Sequence, residues 1–138
     1  MRIWYTALIF LFLHLNLPQY QTACVLANTS LNASVRHLTL QPEHSLAFIP
    51  GQFFLLRIRG IDSEYVERSY SAANFSSGEI LEFVIRLEPH GKMSTLIEAL
   101  KTNDVIDIKG PFGKFGFQAL PSDVKKIVMV AGGVGISP

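Results

Sequence analysis

The stretch GEILEFVIRLEPHGKMSTLIEALK, residues 78–101, changes its period halfway. In its first half Leu81, Phe83, Ile85 and Leu87 alternate with Glu82 and Arg86. Alternation puts the apolar residues on one face of a β-strand and the charges on the other. In its second half Met93, Leu96, Ile97 and Leu100 recur at helical spacing, i, i+3, i+4 and i+7. Gly91 and Lys92 stand where that helix begins. A half-buried strand therefore turns straight into a short amphipathic helix.

Outward from this stretch, the rest of the body reads as strands. On the amino side come TACVLAN and SVRHLTLQ, separated by TSLNA, then HSLAFIPGQ with a Pro50-Gly51 turn signal. FFLLRIRG and VERSYSAAN follow, the latter with a polar face. On the carboxyl side NDVIDIKG alternates again, Ile106 and Ile108 against Asp107 and Lys109. The expected fold is mainly β, an antiparallel Greek-key barrel over residues 19–120 with one inserted helix. Near ALPSD, residues 119–123, the character changes. VKKIVMVAGG is a continuous apolar run ending in glycines, which predicts the first strand and turn of an α/β nucleotide-binding unit over residues 121–138.

The totals exclude several classes. The chain has 138 residues, 49% hydrophobic and 17% charged, with a formal net charge of +1 and no basic block. Nucleic acid is not an expected partner, because phosphate backbones select clustered Lys and Arg. One cysteine, Cys24, permits neither an internal disulfide nor a four-thiolate iron–sulfur cluster, and no metal site is expected. Residues 3–17 are apolar apart from Thr6, His14 and Asn16. As a helix they would span about 22 Å, short of a ~30 Å hydrocarbon core. Residues 1–18 read as a signal-like segment, a shallow anchor or an extension preceding the domain. Sequons stand at Asn28, Asn32 and Asn74. A glycan on Asn74 would crowd the motif three residues before it, which speaks against secretion.

Four short stretches can carry chemistry, and each has a plainer reading. In RSYS, residues 68–71, Arg68 and Tyr70 share one strand face and Ser69 and Ser71 the other. A guanidinium beside an aromatic ring suits a ligand with a phosphate and a flat ring system, although an exposed strand face would look the same. HGKMS, residues 90–94, places a glycine and Ser94 at a helix N-terminus. Unpaired N–H groups there accept diphosphate, or the motif is simply a capped turn. GPFGKFGF, residues 110–117, is core or the wall of an aromatic cleft. AGGVGISP, residues 131–138, lacks the Gly-Lys-Ser/Thr of a P-loop and has Pro138 where a third fingerprint glycine would stand. A glycine turn after an apolar strand still fits a dinucleotide phosphate.

Their order and spacing, PGQF…RSYS…GKMS…GPFG…AGGVGISP, resemble the flavin reductases of the ferredoxin–NADP reductase superfamily. The resemblance runs from Tyr20 to Pro138. It implies an FAD-binding barrel followed by an NAD(P)H domain, in an oxidoreductase carrying electrons from NAD(P)H through FAD to an acceptor. It implies that Arg68 pairs with the flavin phosphate, that Tyr70 lies against the isoalloxazine, and that Ser71 is the catalytic hydroxyl near the hydride-accepting nitrogen. Ser69 belongs to the same motif. Val84, Ile85 and Arg86 match the strand whose backbone runs beside the flavin. Gly91, Lys92, Met93 and Ser94 match the diphosphate turn. Gly132, Gly133, Gly135 and Pro138 match the nicotinamide-nucleotide turn. His90 departs from the pattern, standing where many relatives have a second glycine. The nicotinamide domain is present only as its first strand and turn, so FAD binding with poor reduction by NAD(P)H is expected of these residues. Two other classes stay open: a flavin-free barrel used for protein contact, and a membrane-anchored electron-transfer component held through residues 3–17. The expected location is cytoplasmic or at a membrane surface. The electron acceptor, protein or small molecule, is not written in the sequence.

Overall fold

The computed structural model describes residues 18–74, 78–116 and 120–138. The apolar segment expected over residues 3–17, and Phe117 of the GPFGKFGF stretch, lie outside them. Six strands form one antiparallel sheet: β1 (Gln21–Asn32), β2 (Val35–Pro42), β3 (Phe53–Arg59), β4 (Tyr65–Ser71), β5 (Leu81–Arg86) and β6 (Val105–Phe112). Their order is β4-β3-β6-β1-β2-β5. Strands distant in sequence lie side by side, as in a Greek key, and β4 and β5 end as the two edges. One helix, α1 (Lys92–Ala99), follows β5.

Alternation sorts the side chains as the sequence predicts. Leu81, Phe83 and Ile85 of β5 point inward with Leu38 and Leu40 of β2, Phe54, Leu56 and Ile58 of β3, and Ile106 and Ile108 of β6. Among the described residues no polar or charged residue is buried. Phe54 anchors this interior: Phe83 and Phe48 meet it edge-on, with ring centroids 6.1 and 5.5 Å away. Each such pair contributes about 0.5–1.5 kcal/mol beyond the area it buries. Met93 and Ile97 of α1 are buried against the same core, with Leu96 and Leu100 half-buried beside it. The helical spacing was therefore the face that closes the barrel.

Three expectations need correction. TSLNA is not a separator: β1 runs through it to Asn32, shifting register between Val25 and Ala27 and between Ser30 and Asn32. The hydrogen-bonding demand of β2 outweighs the turn-forming residues in that stretch. HSLAFIPGQ makes no strand, although Leu46 and Phe48 still pack on the core. Its chain instead pins a loop: Leu46 donates its N–H to Gly78 O at 3.0 Å. A Cβ on Gly78, whose φ is +84°, would come within 2.1 Å of the Leu46 carbonyl oxygen. Finally, residues 124–132 form no strand. Ile127, Val128, Met129 and Val130 are exposed, Val130 at 94%. A strand exists by its ladder, and no described segment pairs with this run.

Candidate flavin site at the open edge of the barrel

The two edge strands come together at one end only. Ala73 donates its N–H to Glu82 O at 2.8 Å. Asn74 reinforces the junction: its Oδ1 accepts the Glu82 N–H and its Nδ2 donates to Ile80 O, both at 3.0 Å. Beyond this point no ladder joins β4 to β5 among the described residues. What lines the gap follows from strand geometry. Glu82 turns both backbone groups away from β2, so Val84 and Arg86 do the same. On β4, Ala72 bonds toward β3 through Gln52, so Ser71 and Ser69 turn their backbone groups to the gap. A slot edged by backbone donors and acceptors results.

The side chains of the RSYS motif divide as expected. Arg68 and Tyr70 sit opposite the inward-facing Leu56 and Phe54, while Ser69 and Ser71 sit opposite Leu55 and Phe53 on the outer face. Tyr70 is half-buried against the core. That burial raises its phenol above the ordinary value, and the Arg68 charge opposes the rise. Arg68 is exposed, and one of its terminal nitrogens donates to Glu67 O at 2.6 Å. Among the described residues it has no carboxylate partner, whereas Arg36, Arg57 and Arg86 each have one.

Helix α1 packs against β4. Val66, one step from Arg68 on the same face, lines a cleft of ≈ 440 Å³ with Gly60, Ile61, Asp62 and Glu64 and with His90, Lys92, Thr95 and Leu96 of the helix start. No side chain caps the amino end of α1 at Gly91. The first N–H groups of the helix are therefore open to an anion. A Cβ on Gly91 would sit 3.0 Å from Ser94 Oγ. Ser94 Oγ accepts the Glu88 N–H at 2.8 Å, which leaves its own proton to donate. His90 has φ +61°, the left-handed region that favours glycine. That is the physical content of the departure noted at this position.

Some expected residues stand elsewhere. Ile85 is buried and turns its backbone to β2, so it offers the slot nothing. The Met93 side chain is core, leaving only its N–H at the helix start. The Arg86 side chain pairs with Glu88 at 2.8 Å, and only its backbone faces the slot. Gly132, Gly133, Gly135 and Pro138 belong to an exposed terminal segment whose single 3-10 turn, Gly133–Ile136, lies beside β5. Phe112 of the aromatic stretch tilts onto Phe53 at 5.7 Å, and Phe115 is exposed. Sequence reasoning missed Asn74 altogether except as a sequon, and the Nδ2 that a glycan would need is committed to Ile80 O. It also missed an outer-face cluster in which Arg57 lies 3.7 Å over the Tyr20 ring and 4.6 Å over that of Tyr65, while the Tyr20 hydroxyl donates to Glu67. Neither carries a local motif. The first joins a loop to the strand that follows it, and the second is built from residues far apart in the chain. No helix among the described residues is long and apolar enough to cross a membrane.

Comparisons with known proteins bear on the family and the fold. Residues 23–117 match the family model of the oxidoreductase FAD-binding domain. Methane monooxygenase component C of Methylosinus trichosporium is 36% identical over 83% of this chain, and terephthalate 1,2-dioxygenase reductase component 2 of a Comamonas species 35% identical over 85%. The chain spans about a third of the length of these relatives, 34% of each. The solved structure of the ferredoxin reductase in carbazole 1,9a-dioxygenase superposes with a TM-score of 0.74 at 30% identity, over 87% of this chain and 37% of that one. The sheet, its open edge and these matches agree: the chain belongs to the oxidoreductase FAD-binding domain family and has the barrel of the ferredoxin reductases.

Proposed function

We propose that this chain is the flavin-holding portion of a reductase that takes electrons from NAD(P)H through FAD and delivers them to a separate acceptor. The observation that carries the reading is Arg68. A cation without a carboxylate partner among the described residues stands on the strand lining the slot, one step from the cleft that contains the uncapped start of α1. An anionic ligand with a flat ring system satisfies all of these groups together.

The residues fit FAD in its parts. Arg68 takes a phosphate in a bidentate fork. The N–H groups of Lys92, Met93 and Ser94, with the Ser94 hydroxyl, take the diphosphate where Gly91 keeps the approach open. Tyr70 lies against the ring. The backbone groups of Val84 and Arg86 on one side, and of Ser69 and Ser71 on the other, meet its polar edge. Ser71 adds a hydroxyl near the reacting atom. FAD, when bound, supplies the hydride-accepting and electron-releasing chemistry. The protein holds the ring, keeps its phenol neutral near pH 7 and excludes water from the buried side.

On this reading residues 19–120 are the flavin domain and residues 121–138 open the nucleotide domain. The terminal turn beside β5 is the place where a nicotinamide would approach. The relatives named above belong to monooxygenase and dioxygenase systems, which supports an oxygenase component or its ferredoxin as acceptor. A titration followed by flavin fluorescence tests the proposal. The chain is expected to bind FAD about tenfold more tightly than FMN, because FAD adds a second phosphate to be held by charge-assisted hydrogen bonds. Equal affinity for both would overturn the diphosphate assignment, and no binding of either would overturn the reading.

A further inference from the structure

The slot between β4 and β5 has one fixed end, and a single side chain fixes it. Among the described residues Ala73–Glu82 is the backbone bond that joins the two edges at that end, and Asn74 braces it through the Glu82 N–H and the Ile80 carbonyl. The carboxamide suits the task because it offers a donor and an acceptor from one planar group. Its acceptor holds the amide of the residue whose carbonyl receives Ala73. Its donor holds Ile80, one residue before β5 starts. From that junction the gap opens past Ser71 and Val84, so a small change at the junction propagates along the slot. We propose that Asn74 is a positioning residue that sets the spacing of β4 and β5, and through it the fit of the flavin ring between them. This rests on the flavin reading above.

The test compares three variants of the full chain. Asn74→Ala removes both bonds. Asn74→Asp keeps the acceptor for Glu82 and loses the donor to Ile80, and serves if the alanine variant does not fold. Asp107→Ala deletes the two bonds that Arg57 makes on the outer face, away from the slot, and controls for stability alone. Three quantities are read: FAD affinity, the visible circular dichroism of bound flavin, and amide exchange at Ala73 in the flavin-free protein. Asn74→Ala is expected to weaken FAD binding about tenfold, the scale of two lost hydrogen bonds. It should also alter the flavin dichroism and speed exchange at Ala73. Asp107→Ala should leave all three unchanged at a comparable loss of stability. Wild-type affinity and dichroism in Asn74→Ala, or an equal loss in Asp107→Ala, would overturn the proposal. So would unchanged exchange at Ala73, which decides the matter even if the wild-type chain takes up no FAD. A folded wild-type chain that takes up no FAD would instead count against the flavin reading.

Discussion

Arg68 is the side chain on which the proposed flavin site turns. Its charge is balanced by no described carboxylate, and an exposed position makes its removal nearly neutral for stability. Arg68→Ala is therefore expected to weaken FAD binding by about 10- to 100-fold, the worth of a charge-assisted bond to phosphate, while the unfolding midpoint stays put. A flavin titration beside a denaturant curve separates the two effects. Tyr70, its neighbour on the same face, makes a prediction in pH. Burial raises its phenol above about 10, so folding favours the neutral form. That stability is complete below the unfolded value and is lost as pH climbs through the raised folded one. Tyr70→Phe should lose stability less steeply than wild type above pH ~10, as read from denaturation midpoints across the alkaline range. His90 carries a backbone cost at φ +61°. His90→Gly should stabilise the chain by about 1 kcal/mol, measured by chemical denaturation.

At the scale of elements, α1 shows how short pieces are held by distant residues. With eight residues it is too short to persist alone. Asn28 of β1 donates through Nδ2 to Ile97 O at 2.8 Å and to Leu100 O at 3.0 Å, satisfying the carboxyl end of the helix. Asn28→Ala should cost about 1–3 kcal/mol in a denaturant titration, since it removes both hydrogen bonds that tie the helix end to β1. The helix itself was legible in the sequence, because Met93, Leu96, Ile97 and Leu100 follow one period and nothing competes. The strands from β3 to β6 were legible for the same reason. The end of β1 was not, since TSLN is polar and turn-like, and only pairing with β2 makes it strand. The RSYS and GKMS stretches could be found as motifs because their parts are local. The junction at Asn74 could not: it joins a loop to the strand after it, and only the fold brings the Ile80 carbonyl and the Glu82 N–H within reach.

Across the whole molecule, the barrel presents a slot with a fixed end, a cation on its wall and a helix start at its mouth. The segment of residues 124–132 adds an exposed apolar run with no ladder. In a doubly wound sheet such a run is covered on both faces. The same apolar pattern that reads as a strand in the sequence therefore forms none here, because no described segment pairs with it. The proposed flavin site does not depend on it, because its ring and phosphate contacts come from β4, β5 and the start of α1. The visible absorption spectrum of the purified 138-residue chain, loaded with FAD and desalted, tests the central claim most directly. A retained yellow protein with a perturbed flavin spectrum, lost in Arg68→Ala, is the predicted result. A folded but colourless wild-type protein would contradict it.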